Sequence, residues 1–280
     1  MTTRHDSFTA QQNGAPATNA ELATMAFAGF AHFTAMQVRG GRVRGLDLHL
    51  QRLRHASLAM FGSALEDEEI RGYLRQALGG NDDCSLTATL HLPGGEFAVP
   101  GREVKPKVLV RTAPPASGPA GPLELAMFEH ERVLPEWKHV GEVAKTWFLR
   151  QAVSQGFDDA AFVDRHGRLS EATIWNLAFW DGESVIWPEA AMLAGTTMGI
   201  LRRQLLQRGV PQRTQEVRAA DVPSLKGAVV MNSWSPGIPV SRLGSHRIPQ
   251  SPQFLDLLHR AFGNEEAVEL SALRDTVDIE

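Results

Sequence analysis

Apolar and polar residues recur along this chain at two periods, and the switch between them marks out the elements. Residues 32–38 (HFTAMQV) read as a strand, with Gly40-Gly41 as a hairpin turn and residues 42–44 as the return. Leu46, Leu50, Leu53 and Met60 fall at helical spacing and predict a helix over 46–61. A second helix is predicted over 66–78, with Ile70, Tyr73, Leu74 and Leu78 inward and Gly79-Gly80 ending it. Strict alternation over 85–92 places Leu86, Ala88, Leu90 and Leu92 on one face of a half-buried strand, and Ser85, Thr87, Thr89 and His91 on the other. Residues 107–111 make a further strand.

Residues 112–122 (TAPPASGPAGP) combine proline, glycine and small side chains that neither hold regular structure nor build a core. The predicted domain boundary lies here. A flexible arm is expected over 1–20, a first domain over 21–111 and a second over 123–280. In the second half, residues 123–128 and 160–163 read as strands. Val140, Ala144, Phe148 and Ala152 form a helical stripe ended by Gly156. Residues 173–180 and 184–187 are expected to pair across Asp181-Gly182. Met198, Leu201 and Leu205 predict a helix, 228–231 a strand, and Phe254, Leu255, Leu258 and Phe262 the last helix. Strands and helices mix without regular alternation, which predicts an α+β, two-domain architecture rather than a doubly wound sheet.

Composition narrows the function classes. Formal net charge is −4 over 280 residues, unlike a general nucleic-acid binder. Cys84 is the single cysteine, so no intrachain disulfide forms, which fits a reducing compartment. The first twenty residues lack the apolar stretch of a signal peptide, and no apolar run is long enough to span a membrane. A cytoplasmic protein is expected.

Two residues carry the sharpest chemical signal. Lys138 follows Leu134-Pro135 and Trp137 and leads into a helix; Glu171 follows the turn at His166-Gly167 and opens a strand. A lysine amine forms a Schiff base with an aldehyde cofactor such as pyridoxal 5'-phosphate (PLP), and a carboxylate keeps the pyridine nitrogen protonated. Lys145, seven residues on, is the rival lysine. Asn176 is placed to orient a carboxylate or cap a loop. Arg52, among Gln51, Arg54 and His55, is either part of a solvated basic face or a phosphate clamp. LAGTTM at 193–198 leads into a helix whose first amides, with Thr196 and Thr197, suit a phosphate; Asn232-Ser233 is a similar turn. His91 and Phe33 are candidate substrate contacts. Zinc-like spacing, a Walker loop, a dinucleotide fingerprint and a GxSxG elbow are all missing from the sequence, and no metal is expected.

Taken in order, these segments resemble the class IV PLP-dependent aminotransferase family, which includes branched-chain and D-amino-acid aminotransferases and 4-amino-4-deoxychorismate lyases. LDLHLQRLRHAS resembles the family's H-x-x-R-L helix, LPEWKH its Schiff-base segment, and LSEATIWNLAFW its T/S-E-G-x-x-x-N-[IL]-F strand. LAGTTM resembles L-x-G-[IV]-T-R, and MNSWSPGIPV resembles T-N-S-x-x-G-[IV]-x-P-V. The likeness runs from about Phe27 to Val240.

The resemblance implies Lys138 as the Schiff-base lysine, since about 33 positions (171 minus 138) suit the family's register to Glu171. It implies Glu171 at the pyridine nitrogen, Asn176 as the motif asparagine, and Arg52, Thr196, Thr197 and Ser233 around the phosphate. It also implies PLP between two α/β domains, a homodimer, and an amino donor with a 2-oxo acid as substrates. Ala172 replaces the motif glycine, Met198 replaces the motif arginine, and the substrate arginine that D-amino-acid enzymes carry near Leu92-Pro93 is missing. A transaminase is the expected activity. A lyase releasing pyruvate is the first rival, favoured by Lys138-His139 and the GIPV end. A PLP-binding protein with little turnover is the second.

Overall fold

The computed structural model describes residues 8–26, 29–94 and 104–270. The chain forms two compact units, Met1–Ala116 with Ala267–Glu280, and Ser117–Glu266. The division at 116/117 falls inside the proline-rich segment. The end of the chain, expected in the second domain, instead returns to the first unit.

In the first unit the segment expected to be a flexible arm is structured from residue 8; residues 1–7 lie outside the described residues. It forms β1 (Thr9–Gln12), β2 (Ala15–Pro16) and α1 (Asn19–Ala26). The reason is edge pairing. β1 runs antiparallel to β6 (Lys107–Ala113), and Thr9 Oγ1 meets Thr112 Oγ1 at 2.5 Å. With β3 (Ala31–Val38) and β5 (Cys84–His91) the order is β2-β1-β6-β5-β3. β4 (Arg42–Arg44) meets β3 only at the Arg39–Arg42 bridge, and pairs antiparallel with the strand Ala267–Glu269. Residues 271–280 of the acidic tail lie outside the described residues.

α2 (Leu46–Phe61) matches the predicted span; α3 covers Asp67–Leu78. Glycines in the left-handed conformation end both, Gly62 (φ 73°) and Gly79 (φ 54°). Leu50, Leu53, Ile70 and Leu74 pack on Leu86, Leu90 and Val110. Burial of each such side chain contributes roughly 1.5–3 kcal/mol.

The second unit holds a sheet that closes on itself. Its strands are β7 (Leu123–Glu129), β8 (Asp159–Val163), β9 (Leu169–Ala172), β10 (Asn176–Trp180), β11 (Val185–Pro188), β12 (Gln212–Gln215), β13 (Gly227–Met231), β14 (Ile238–Leu243) and β15 (His246–Arg247). The path is β12-β11-β10-β13-β14-β7-β8-β9, and β9 also pairs with β10, at Glu171 and Asn176. The strand expected over 173–180 is therefore interrupted: a turn at 173–175 lets the chain leave β9 and re-enter as β10. α4 (Val143–Ser154), α5 (Thr196–Gln207) and α6 (Pro252–Gly263) pack outside. α4 starts at Val143, so Val140 lies in the preceding turn and not on the helical stripe.

β3 and α2 share a buried polar seam. His32 Nε2 lies 2.9 Å from Ser57 Oγ, and Thr34 Oγ1 lies 2.6 Å from His49 Nδ1. Burial pushes the His32 pKa down to about 3. Folded His32 stays neutral down to that pH, whereas an unfolded histidine takes up a proton near 6.5. Its contribution to stability is thus fully present above pH 6.5 and is lost as pH falls towards 3. Urea unfolding between pH 6 and 4 should show this as a slope of up to about 1.4 kcal/mol per pH unit. His32→Phe should flatten the profile by that amount; parallel profiles would refute the assignment.

Candidate functional site

The centre of the second unit is a buried carboxylate. Glu171 is third in β9 and 4% exposed, contrary to the solvated edge such a residue usually occupies. A buried carboxylate must be paired or protonated. Here its Oε1 receives a hydrogen bond from Lys145 Nζ at 3.2 Å and lies 3.7 Å from Arg132 Nη1. Lys145, the rival lysine, is therefore the amine that meets Glu171. It stands in the first turn of α4, 9% exposed. Burial lowers its pKa, opposed chiefly by the Glu171 charge.

Lys138 lies half-buried in the turn before α4. That turn contains Leu134 at φ 50°, a conformation costly for a side chain with a Cβ. Two side chains brace it. Arg132 Nη2 donates to the Trp137 carbonyl at 2.9 Å, and His139 Nε2 donates to the Val133 carbonyl at 2.7 Å. Arg132 Nη2 also forms an ion pair with Glu142 Oε1 at 3.3 Å, and His139 Nε2 lies 3.2 Å from the same oxygen. Arg132, with a side chain 3% exposed, thus bonds the residue before Lys138 and pairs with Glu171. Arg132 and Glu142 are members of this buried cluster that sequence reasoning missed. Their only signal was a run of charges at 129–142 in a segment that Pro135 and Gly141 keep from being a regular helix.

A second buried acid shapes the turn between β9 and β10. Asp159 accepts from Thr173 Oγ1 at 2.6 Å, the Ala160 amide at 2.7 Å and Trp175 Nε1 at 2.8 Å. Burial raises its pKa against those three bonds. Asn176, opposite Glu171 on β10, turns to α5: its Nδ2 donates to the Leu193 carbonyl at 2.7 Å. Gly195, the N-cap of α5, has no side-chain cap. A Cβ there would stand 1.9 Å from Asn176 Oδ1.

The opening amides of α5 lack acceptors within the helix, as in every α-helix, and could meet an anion. Thr196 and Thr197 stand there, both buried. The Thr197 hydroxyl is already engaged, donating to the Asn232 carbonyl at 2.8 Å. Asn232 braces the next turn by accepting the Trp234 amide at 2.8 Å, and Ser233 lies half-buried beside it. The structure thus brings Lys138, Glu171, Asn176, Thr196, Thr197 and Ser233 into one unit. The remaining candidates belong to the other. Arg52 is half-buried on α2 and Phe33 half-buried on β3. His91 is not on an open polar face: it is buried, with Nε2 3.0 Å from Gln12 Oε1, and burial lowers its pKa. Gln12, its partner, comes from β1 in the same sheet, the segment that the sequence assigned to a flexible arm. Among the described residues no cluster of His, Cys, Asp or Glu has the makings of a metal site.

Residues 31–243 match the family model described as Amino-transferase class IV. No curated protein sequence matches. Solved structures match over nearly the whole chain. A branched-chain aminotransferase from Thermoproteus uzoniensis is 15% identical, with TM-score 0.81, over 94% of this chain and 99% of that one. A candidate 4-amino-4-deoxychorismate lyase from Legionella pneumophila is 19% identical, with TM-score 0.75, over 85% and 92%. A hypothetical aminotransferase from Mycobacterium tuberculosis in PLP-bound form is 20% identical, with TM-score 0.75, over 92% and 98%.

The Gly195–Asn176 contact yields a test independent of any ligand. Gly195→Ala must push the Asn176 amide off the Leu193 carbonyl, at a cost of about 1–3 kcal/mol. In an Asn176→Ala background the same substitution should cost under half as much. A double-mutant cycle by urea unfolding measures the coupling; additive effects would place the strain elsewhere.

Proposed function

Because the chain belongs to the amino-transferase class IV family, a family of PLP-dependent enzymes, we propose that it moves an amino group between an amino acid or amine and a 2-oxo acid, with Lys138 as the lysine that attaches the cofactor. The observation that carries the reading is Glu171: a carboxylate buried where the sheet closes, with both cations on one oxygen.

The residues present fit PLP. The uncapped start of α5 offers amides to a phosphate. Glu171 offers carboxylate oxygen to a protonated ring nitrogen. Two lysines supply amines, and their surroundings separate them. Lys145 is tied to a buried carboxylate by a hydrogen bond and an ion pair. Attachment through Lys138 leaves that pair intact, whereas attachment through Lys145 would take the amine away from Glu171. The 33-position register to Glu171 supports the same choice.

When bound, PLP supplies an electron sink for a carbanion at the substrate α-carbon. The chain supplies the rest. Nζ of Lys138, once released, takes the α-proton as general base. Glu171 holds a proton at the ring nitrogen. Amides of Thr196 and Thr197, with Ser233, would hold the phosphate, while Asn176 fixes the loop entering α5 through Leu193. The departures at Ala172 and Met198 leave this set unchanged, because amides rather than the replaced side chains make the contacts.

The reading includes a homodimer. α4 presents Val143, Trp147 (60% exposed) and Val153 to solvent, apolar area that a second copy would cover. It also includes a cytoplasmic location, consistent with the lone buried cysteine. Among the described residues no helix is long and apolar enough to cross a membrane.

Borohydride reduction of the PLP-loaded enzyme followed by peptide mapping should place the pyridoxyl group on Lys138. Lys138→Ala should lower transamination at least 1,000-fold, the scale of losing a nucleophile and base together. A label on Lys145 would overturn the assignment. Pyruvate formed stoichiometrically without a 2-oxo acid would move the activity to the lyase reading. A bound cofactor whose spectrum ignores every amine offered would mark a binding protein.

A further inference from the structure

The lysine that the proposed mechanism does not use is itself buried against the residue it uses most. Lys145 Nζ and Arg132 Nη1 both meet Glu171 Oε1, whereas Oε2 accepts no hydrogen bond from the described residues. Lys145 is carried by the first turn of α4, a rigid element, and reaches across to β9. A lysine amine this deep is held only by a specific partner.

We propose that Lys145 is a positioning residue: it anchors Oε1 of Glu171 so that Oε2 is presented to the ring nitrogen, and its charge limits how tightly a proton is held there. This rests on the assignment of Glu171 to the ring nitrogen and of Lys138 to attachment.

The direction follows from the local charges. Arg132 and Lys145 balance Glu142 and Glu171. The other titratable groups facing them are His139, in contact with Glu142, and His130 at the end of β7. Burial lowers the His130 pKa. Removing Lys145 leaves the cluster one unit more negative. A proton on the ring nitrogen, or elsewhere on the bound cofactor, then becomes easier to hold. Unit charges a few ångströms apart at the effective dielectric of a protein site act on a pKa by about one unit or more. Arginine keeps the charge, so Lys145→Arg should leave the balance as it is, whereas methionine keeps the stem and removes the charge.

The test uses the PLP-loaded full chain and its Lys145→Met, Lys145→Gln, Lys145→Arg and Glu171→Gln variants. The readouts are the pH midpoint of the bound cofactor's absorbance change and the Tm of each cofactor-free protein. We expect Lys145→Met and Lys145→Gln to raise the midpoint by about one pH unit, and Lys145→Arg to hold it within a few tenths. Glu171→Gln should move it in the opposite direction. A fall in Tm for Lys145→Met and Lys145→Gln with an unmoved midpoint would reduce the contact to a structural ion pair and overturn the proposal. If Glu171→Gln leaves the midpoint in place, the assignment of Glu171 to the ring nitrogen fails first; if only the Lys145 variants leave it in place, that assignment stands and this inference alone is lost. A borohydride label on Lys145 of the unmutated protein would overturn both.

Discussion

A carboxylate taken out of water needs cations within reach, and the second unit is arranged around meeting that need at Glu171. The cost of desolvating the ion is several kcal/mol, so the residues that offset it cannot be placed loosely. Lys145 comes from α4, Arg132 from the segment after β7, and Glu171 itself from β9. Three stretches of chain are thereby drawn to one oxygen atom. The closure of the sheet happens at the same residue, since Glu171 pairs with Asn176 across the β9–β10 turn. Electrostatics and topology therefore constrain each other: opening the sheet at this point would expose the carboxylate, and losing the cations would leave it buried and unpaired.

The turn that makes the closure possible has its own buried acid. Asp159 gathers the Thr173 hydroxyl, the Trp175 indole and the Ala160 amide, and so fixes the three residues that separate β9 from β10. Asn176 passes the constraint on by bonding to Leu193, two residues before Gly195, the N-cap of α5. Thr197 then ties α5 to Asn232. Each link is one buried hydrogen bond of modest net worth, yet each would leave a desolvated group behind if broken. The start of α5 and the carboxylate on β9 are in this way held in fixed register without any bond between them.

Periodicity made much of this fold legible. The stripe from Leu46 defined α2 to the residue, and alternation from Leu86 defined β5, because both elements bury one face against a single core. The failures share a cause. Residues 8–20 looked unstructured because an edge strand owes its order to backbone pairing with β6, which composition does not record. His91 read as a candidate substrate contact because its buried partner, Gln12, comes from those same residues. Residues 267–270 were assigned to the wrong half because a three-residue strand pairs with β4 from the far end of the chain. Motif order picked out Glu171, Asn176 and the start of α5, which the structure places in one unit. Arg132 and Glu142 stayed hidden, since their role depends on how an irregular turn bends.

That turn also explains why two lysines seven residues apart are not equivalent. Seven positions is two helical turns, and an uninterrupted helix from Lys138 would set both amines on one face. The helix instead begins at Val143. Lys145 takes the direction of a helical side chain and is committed to Glu171. Lys138 takes its direction from a segment with a left-handed Leu134, held by Arg132 at Trp137 and by His139 at Val133. Since Arg132 also pairs with Glu171, any shift of the carboxylate is felt in the backbone next to Lys138. The backbone beside Lys138 and the Glu171 carboxylate are thus coupled through one buried guanidinium, while Lys145 holds the carboxylate from the helix side.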